Sequence, residues 1–228
     1  MFPLKAARKI EHTPYITYAL IVINVLVFVW QMTLPQLDLY RLYFSAGLVT
    51  CAEGISVPSA VTSMFLHGSI IHLLGNMLFL FAFGPAVEDY LGKAWYTVFY
   101  LAAGAAGSAL HLVFSWGACV PTIGASGAIM GVMGGFVLLY PGTRINTLVM
   151  LFRIPVGVRQ VRALYLLGTF FVLDLINGLM ALGPTTATTN GVAVWAHVGG
   201  FLVGFAMAFI AMTFKPLPPV DPIYLSDD

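Results

Sequence analysis

Charge is missing from this sequence in long blocks, and those blocks constrain what the chain can fold into. No Asp, Glu, Lys or Arg occurs in 12–37, 54–87 or 94–143, and in 163–214 Asp174 is the single exception. A helix needs ~20 apolar residues to cross ~30 Å of hydrocarbon. The first block holds one span, Tyr15–Met32. The second holds another, Ile70–Tyr90, entered by the approach segment Pro58–His67. The third block is too long for one span. Gly117, Pro121 and Gly124 break it into Trp95–Ser115 and Ser126–Tyr140, the latter stopped by Pro141-Gly142. Gly183-Pro184 and a Thr-rich loop divide the fourth into Val161–Leu182 and Val194–Phe214. The expectation is an all-α, polytopic membrane protein with a six-transmembrane-helix core at 15–214, flanked by tails 1–14 and 215–228.

Composition agrees with this and removes the alternatives. The 228 residues are 60% hydrophobic and 8% charged, against about 25% charged in a soluble domain. So little charge cannot hydrate a globular surface, which excludes a soluble enzyme and a disordered chain. A net charge of +1 offers nucleic acid no attraction, so no nucleic-acid partner is expected. The partner that composition does imply is the lipid bilayer. Cys51 and Cys119 are too few for a zinc site of ordinary ligand count, and neither metal nor cofactor is expected. Both fall in outer loops, so a disulfide is possible in an oxidising periplasm, with unbonded thiols the preferred reading.

The basic residues set the sidedness. With both termini in the cytoplasm, Lys5, Arg8, Lys9, Lys93, Arg144, Arg153, Arg159, Arg162 and Lys215 lie inside and only Arg41 lies outside. The first apolar run is too long for a signal peptide and lacks a small-residue cleavage site, so it reads as a retained span. Arg144–Gln160, mixed basic and apolar with Pro155 and Gly157, reads as an interfacial cytoplasmic loop.

One span is too short. Fifteen residues from Ser126 to Tyr140 cover ~22 Å of the ~30 Å required. If Tyr140 marks the inner surface, Ser126 starts its helix inside the membrane. The loop before it then lines a wet cavity, because irregular backbone at membrane depth is tolerated only there or inside protein. The second, fourth and sixth spans all run from outside to inside, so their first turns share one depth. His72 and Asn76, at i and i+4, stand near the start of the second. Ser126 opens the fourth, and His197 lies a turn into the sixth. A nucleophile, two imidazoles and a carboxamide therefore coincide in depth, where polar groups are costly and usually functional. Gly127 and Gly131, with Gly200 and Gly204, form small-xxx-small faces that let helix backbones approach closely.

Gly124-Ala125-Ser126-Gly127, His72 with Asn76, and Ala196-His197-x-x-Gly200-x-x-x-Gly204 resemble the signature of the rhomboid intramembrane serine proteases. The resemblance covers Thr13–Phe214 with the motifs in the family's order. It implies a Ser–His dyad that cuts transmembrane protein substrates, with Ser126 as nucleophile and His197 as general base. It further implies oxyanion stabilisation by His72, Asn76 and the Ser126 backbone N–H, and close loop approach at Gly124 and Gly127. His67 matches a histidine that braces the loop before the nucleophile. Many members carry a tyrosine one turn after the nucleophile, under the catalytic histidine. Met130 stands there, and its thioether is expected to support His197 instead. The Trp-Arg pair common in the family's first outer loop is missing, with Tyr40-Arg41 nearest to it. The short termini suggest a bacterial plasma (inner) membrane.

Plainer readings stand beside these. Ser126 is also a preferred N-cap residue. His72 and Asn76 could simply bond helices together, and His111 reads as an interhelical hydrogen bonder. For Asp174 a triad is conceivable, because His197 lies only about a turn away in depth. Asn177 at i+3 is the nearer partner, and a proton-bearing packing or gating role is the preferred reading. A catalytically silent rhomboid-like binding or quality-control factor, and a channel or transporter lined by the same residues, are the rival functions.

Overall fold

The computed structural model describes residues 1–49, 57–117, 119–151, 154–182 and 193–216. Cys51, Gly183-Pro184, the Thr-rich loop and the tail 217–228 lie outside the described residues. Six apolar helices form the body: α1 Tyr15–Thr33, α4 Ile70–Leu91, α5 Lys93–Phe114, α6 Ser126–Leu139, α7 Ala163–Met180 and α8 Val194–Phe214. Five of these are long and apolar enough to cross a membrane, while α6, with 14 residues, is shorter. Large side chains such as Leu26, Ile71, Trp95 and Phe214 stay exposed along the outer helices. That is the surface lipid would cover. Between α1 and α4 the described residues include two short α-helices, α2 Gln36–Ala46 and α3 Val57–Thr62.

The short helix sits at the centre. Helix α6 is buried nearly all round, packing on α8, α5 and α4. Its sequence, SGAIMGVMGGFVLL, is apolar on every face, as a helix enclosed by others must be. Glycine sets the distance to α8. A Cβ at Gly200 would collide with the Gly127 carbonyl, and one at Gly204 with the Gly131 carbonyl. Only hydrogen fits there, so the two backbones touch along one seam. Aromatic layers fill the remaining core, with Phe83 edge-on to Phe136 and Phe136 edge-on to Tyr140.

The end of the bundle away from Ser126 carries a feature the helix pattern did not announce. Arg144–Gln160, expected as an interfacial loop, lies within an antiparallel pair, β4 Arg144–Leu151 and β5 Ile154–Arg162. A strand from the N-terminal tail, β1 Phe2–Ala6, pairs along β4 and makes a three-stranded sheet of order β1-β4-β5. The signal was alternation: Ile145 and Thr147 are fully buried while Asn146 between them is not. At the same end Glu88 of α4 caps α1, accepting the N–H of Ile16 at 2.9 Å and both the N–H and hydroxyl of Thr17 at 2.7 Å. A carboxylate there satisfies donors that no helical carbonyl reaches.

Candidate active site

The first turns of α4, α6 and α8 meet the last turn of α5 around one cavity of about 760 Å³. His72, Asn76, Ser126 and His197 all line it. The shared depth expected of the second, fourth and sixth spans is thus the geometry observed. Ser126 is the first residue of α6, and Ala125, not Ser126, occupies the N-cap position without a side-chain cap. The capping alternative for the hydroxyl is therefore not the one adopted. The first backbone N–H groups of α6 have no intrahelical partner and point to the positive end of the helix dipole. Gly127 packs on the Ala196 carbonyl, where a Cβ would lie at 3.3 Å. The residue after the serine therefore touches the residue before the histidine.

The donors on α4 are held by a network that reaches back to α1. Gly124 has φ +124°, and a Cβ there would fall 2.7 Å from His72 Nε2, so the loop backbone runs against that imidazole. The Gly124 N–H donates to the Ser63 carbonyl at 2.8 Å and fixes the loop's height. Asn76 Nδ2 lies 2.9 Å from His67 Nε2 and donates to it. A carboxamide nitrogen carries two hydrogens, so one N–H of Asn76 is left for the cavity. His67 is fully buried, and burial together with the neighbouring His72 pulls its imidazole down to about 4. A neutral ring accepting from Asn76 fits that shift. Gln31 of α1 clamps the His67 backbone, its Oε1 accepting the N–H at 3.1 Å and its Nε2 donating to the carbonyl at 3.2 Å. The bracing role expected of His67 is therefore exerted on Asn76, and Gln31 is a supporting residue that the sequence reading missed. A carboxamide in an apolar span, one of two in α1 with Asn24, was the signal for it.

Several expectations change. Asp174 does not turn to Asn177: its Oδ2 lies 3.0 Å from His197 Nδ1, with both side chains largely enclosed. Met130 is buried in the main core cluster. His111 is not an interhelical bonder. Its Nε2 meets Thr122 Oγ1 at 2.9 Å and its Nδ1 meets Ser115 Oγ at 3.2 Å, tying the end of α5 to the short strand β3 Pro121–Thr122. That strand pairs with β2 Leu48–Val49. Cys119 is in a disulfide, the alternative the sequence reading did not prefer. Among the described residues, no three His, Cys, Asp or Glu side chains converge as a metal site.

The fold and site together define a multi-pass helical membrane protein with a serine, histidines and a carboxamide around a cavity at one end. Residues 56–214 match the Rhomboid domain, and the chain belongs to the rhomboid family. It is similar to Rhomboid protein 1, mitochondrial, of Saccharomyces cerevisiae, at 35% identity over 64% of this chain and 42% of the relative. Rhomboid protease GluP of Bacillus subtilis is 34% identical over 65% of this chain and 25% of that protein. RHOMBOID-like protein 6, mitochondrial, of Arabidopsis thaliana is 32% identical over 67% of this chain and 43% of the relative. The chain thus spans less than half the length of these curated relatives. Relatives named mitochondrial stand beside a bacterial one, so the comparisons support a membrane protein and do not single out the bacterial plasma membrane expected above.

Proposed function

We propose that this protein is an intramembrane serine endopeptidase that hydrolyses peptide bonds in or near transmembrane segments of other membrane proteins. The observation that carries the reading is the convergence of Ser126 and His197 on one cavity, with no side-chain cap at the start of α6. Ser126 Oγ attacks the scissile carbonyl carbon, a C–O bond forms, and the hydroxyl proton passes to the free ring nitrogen of His197. The carbonyl π electrons move onto oxygen, where His72, the second Asn76 N–H and the Ser126 backbone N–H stabilise the charge. The imidazolium gives its proton to the amine as the C–N bond breaks. Water then repeats the sequence on the acyl-enzyme and regenerates Ser126. Inward basic residues support an orientation with the Ser126 cavity opening outward and the β-sheet in the cytoplasm.

A fluorophosphonate probe tests this, since it forms a covalent bond only with an activated serine. Wild-type protein in vesicles labels, and Ser126→Ala and His197→Ala do not. Labelling that survives Ser126→Ala refutes the assignment. Absence of labelling in folded wild type favours the silent, binding relative.

A further inference from the structure

Asp174 is the only charged residue within 163–214, and it lies on α7, which the dyad does not use. A carboxylate at that depth is costly unless a partner compensates it. The partner present is the histidine of the site: Oδ2 stands 3.0 Å from Nδ1 of His197. Side-chain exposure is 21% for Asp174 and 16% for His197, so the contact is screened little by solvent. Packing on both flanks holds it. Three residues before Asp174, Phe171 stacks on Phe201 of α8 with centroids 4.4 Å apart. Four residues after it, Gly178 lies against Trp195, where a Cβ would be 3.1 Å from the indole. Trp195 in turn stacks on Phe114 of α5 at 4.0 Å. Helices α7 and α8 are thus clamped one turn above and one turn below the pair.

Resting on the dyad reading, we propose that Asp174 is a positioning residue that converts Ser126–His197 into a Ser–His–Asp relay. A carboxylate beside Nδ1 accepts a hydrogen bond only if the ring carries its proton there. That leaves the Nε2 lone pair as the base, the tautomer that proton abstraction from Ser126 requires. The same carboxylate stabilises the imidazolium formed when the serine proton arrives. Asp174 itself neither gains nor loses a proton, and no bond to it forms or breaks. Among the described residues, the titratable groups facing His197 are Asp174 from α7, His72 from α4 and His111 from α5. Among the described residues that face it, Asp174 is the one carboxylate.

The test uses the full chain in vesicles, the fluorophosphonate labelling rate, thermal stability, and nitrogen NMR of labelled histidine. Asp174→Asn keeps size and polarity but loses the charge, and the labelling rate falls ~10²–10⁴-fold with the melting temperature little changed. Asp174→Glu, which restores the charge, labels faster than Asp174→Asn. A residue serving packing alone gives the reverse order, because Asn is the isostere. Wild-type His197 carries its proton on Nδ1 in the NMR spectrum. Labelling of Asp174→Asn within twofold of wild type overturns the relay and leaves the dyad standing. So does an Nε2-protonated His197 in wild type, a measurement that decides the matter even if Asp174→Asn unfolds. Absence of Ser126-dependent labelling in wild type instead refutes the dyad, and the relay with it.

Discussion

Among the described residues the same His–Asp pair occurs twice, once at each end. His12 Nδ1 lies 2.9 Å from Asp89 Oδ1, and His197 Nδ1 lies 3.0 Å from Asp174 Oδ2. Their surroundings differ. The His12 side chain is 77% exposed, and Asp89 also accepts the backbone N–H of Glu11 at 3.0 Å and of His12 at 2.8 Å. That pair ties the chain entering α1 to the end of α4, in reach of water and salt, where ion pairs contribute little. The second pair is enclosed, and its histidine lines a cavity with a serine hydroxyl and two further donors. Identical contacts therefore fasten the chain at one end and set a proton position at the other. Burial and the third neighbour make the difference.

The comparison is broken most forcefully at the cavity end. His72→Ala lowers the fluorophosphonate labelling rate ~10²–10³-fold, the usual cost of one oxyanion donor, with the melting temperature held. Asn76→Ala lowers rate and melting temperature together, because Nδ2 also holds His67. Equal losses of stability in both variants would mean that His72 is structural. At the opposite end Glu88→Gln costs roughly 1–3 kcal/mol in a denaturant or thermal titration, since an NH₂ group replaces an acceptor facing buried donors. Labelling of that variant stays within a few-fold of wild type, and a large loss would show that the two ends are coupled.

His67 predicts an acid limb in stability. Its folded pKa of about 4 is below the ordinary 6.5, so the unfolded chain takes up a proton first as pH falls. Stability is full above pH 6.5 and declines towards pH 4, with a slope from this group of at most ~1.4 kcal/mol per pH unit. Melting temperatures measured across that window show the decline, and His67→Gln flattens it. The smallest effect belongs to His12→Ala, which costs roughly 0.5 kcal/mol or less and leaves labelling unchanged.

Much of this was legible in residues. The helix expected at Val194–Phe214 is the helix observed, and the serine expected to start a short helix starts one. Charge-free blocks and breakers sufficed because lipid demands complete internal hydrogen bonding and leaves a chain few choices. The β4–β5 hairpin was not read, because basic residues interspersed with apolar ones suit an interfacial loop as well as a strand pair. Deciding between them required β1, which lies more than a hundred residues away.

By itself the sequence determined the apolar spans, the level at which α4, α6 and α8 begin, and the glycines that let α6 and α8 touch. These follow from local composition and helical rise, which need no knowledge of neighbours. Only the tertiary structure decided which carboxylate meets which imidazole. Asp174 had Asn177 three residues away along its own helix and His197 on the next, and rotation of α7 about its axis selects between them. The stacking of Phe171 on Phe201 and the fit of Gly178 on Trp195 set that rotation. Such contacts join residues distant in sequence, and packing chose the partner that spacing alone did not.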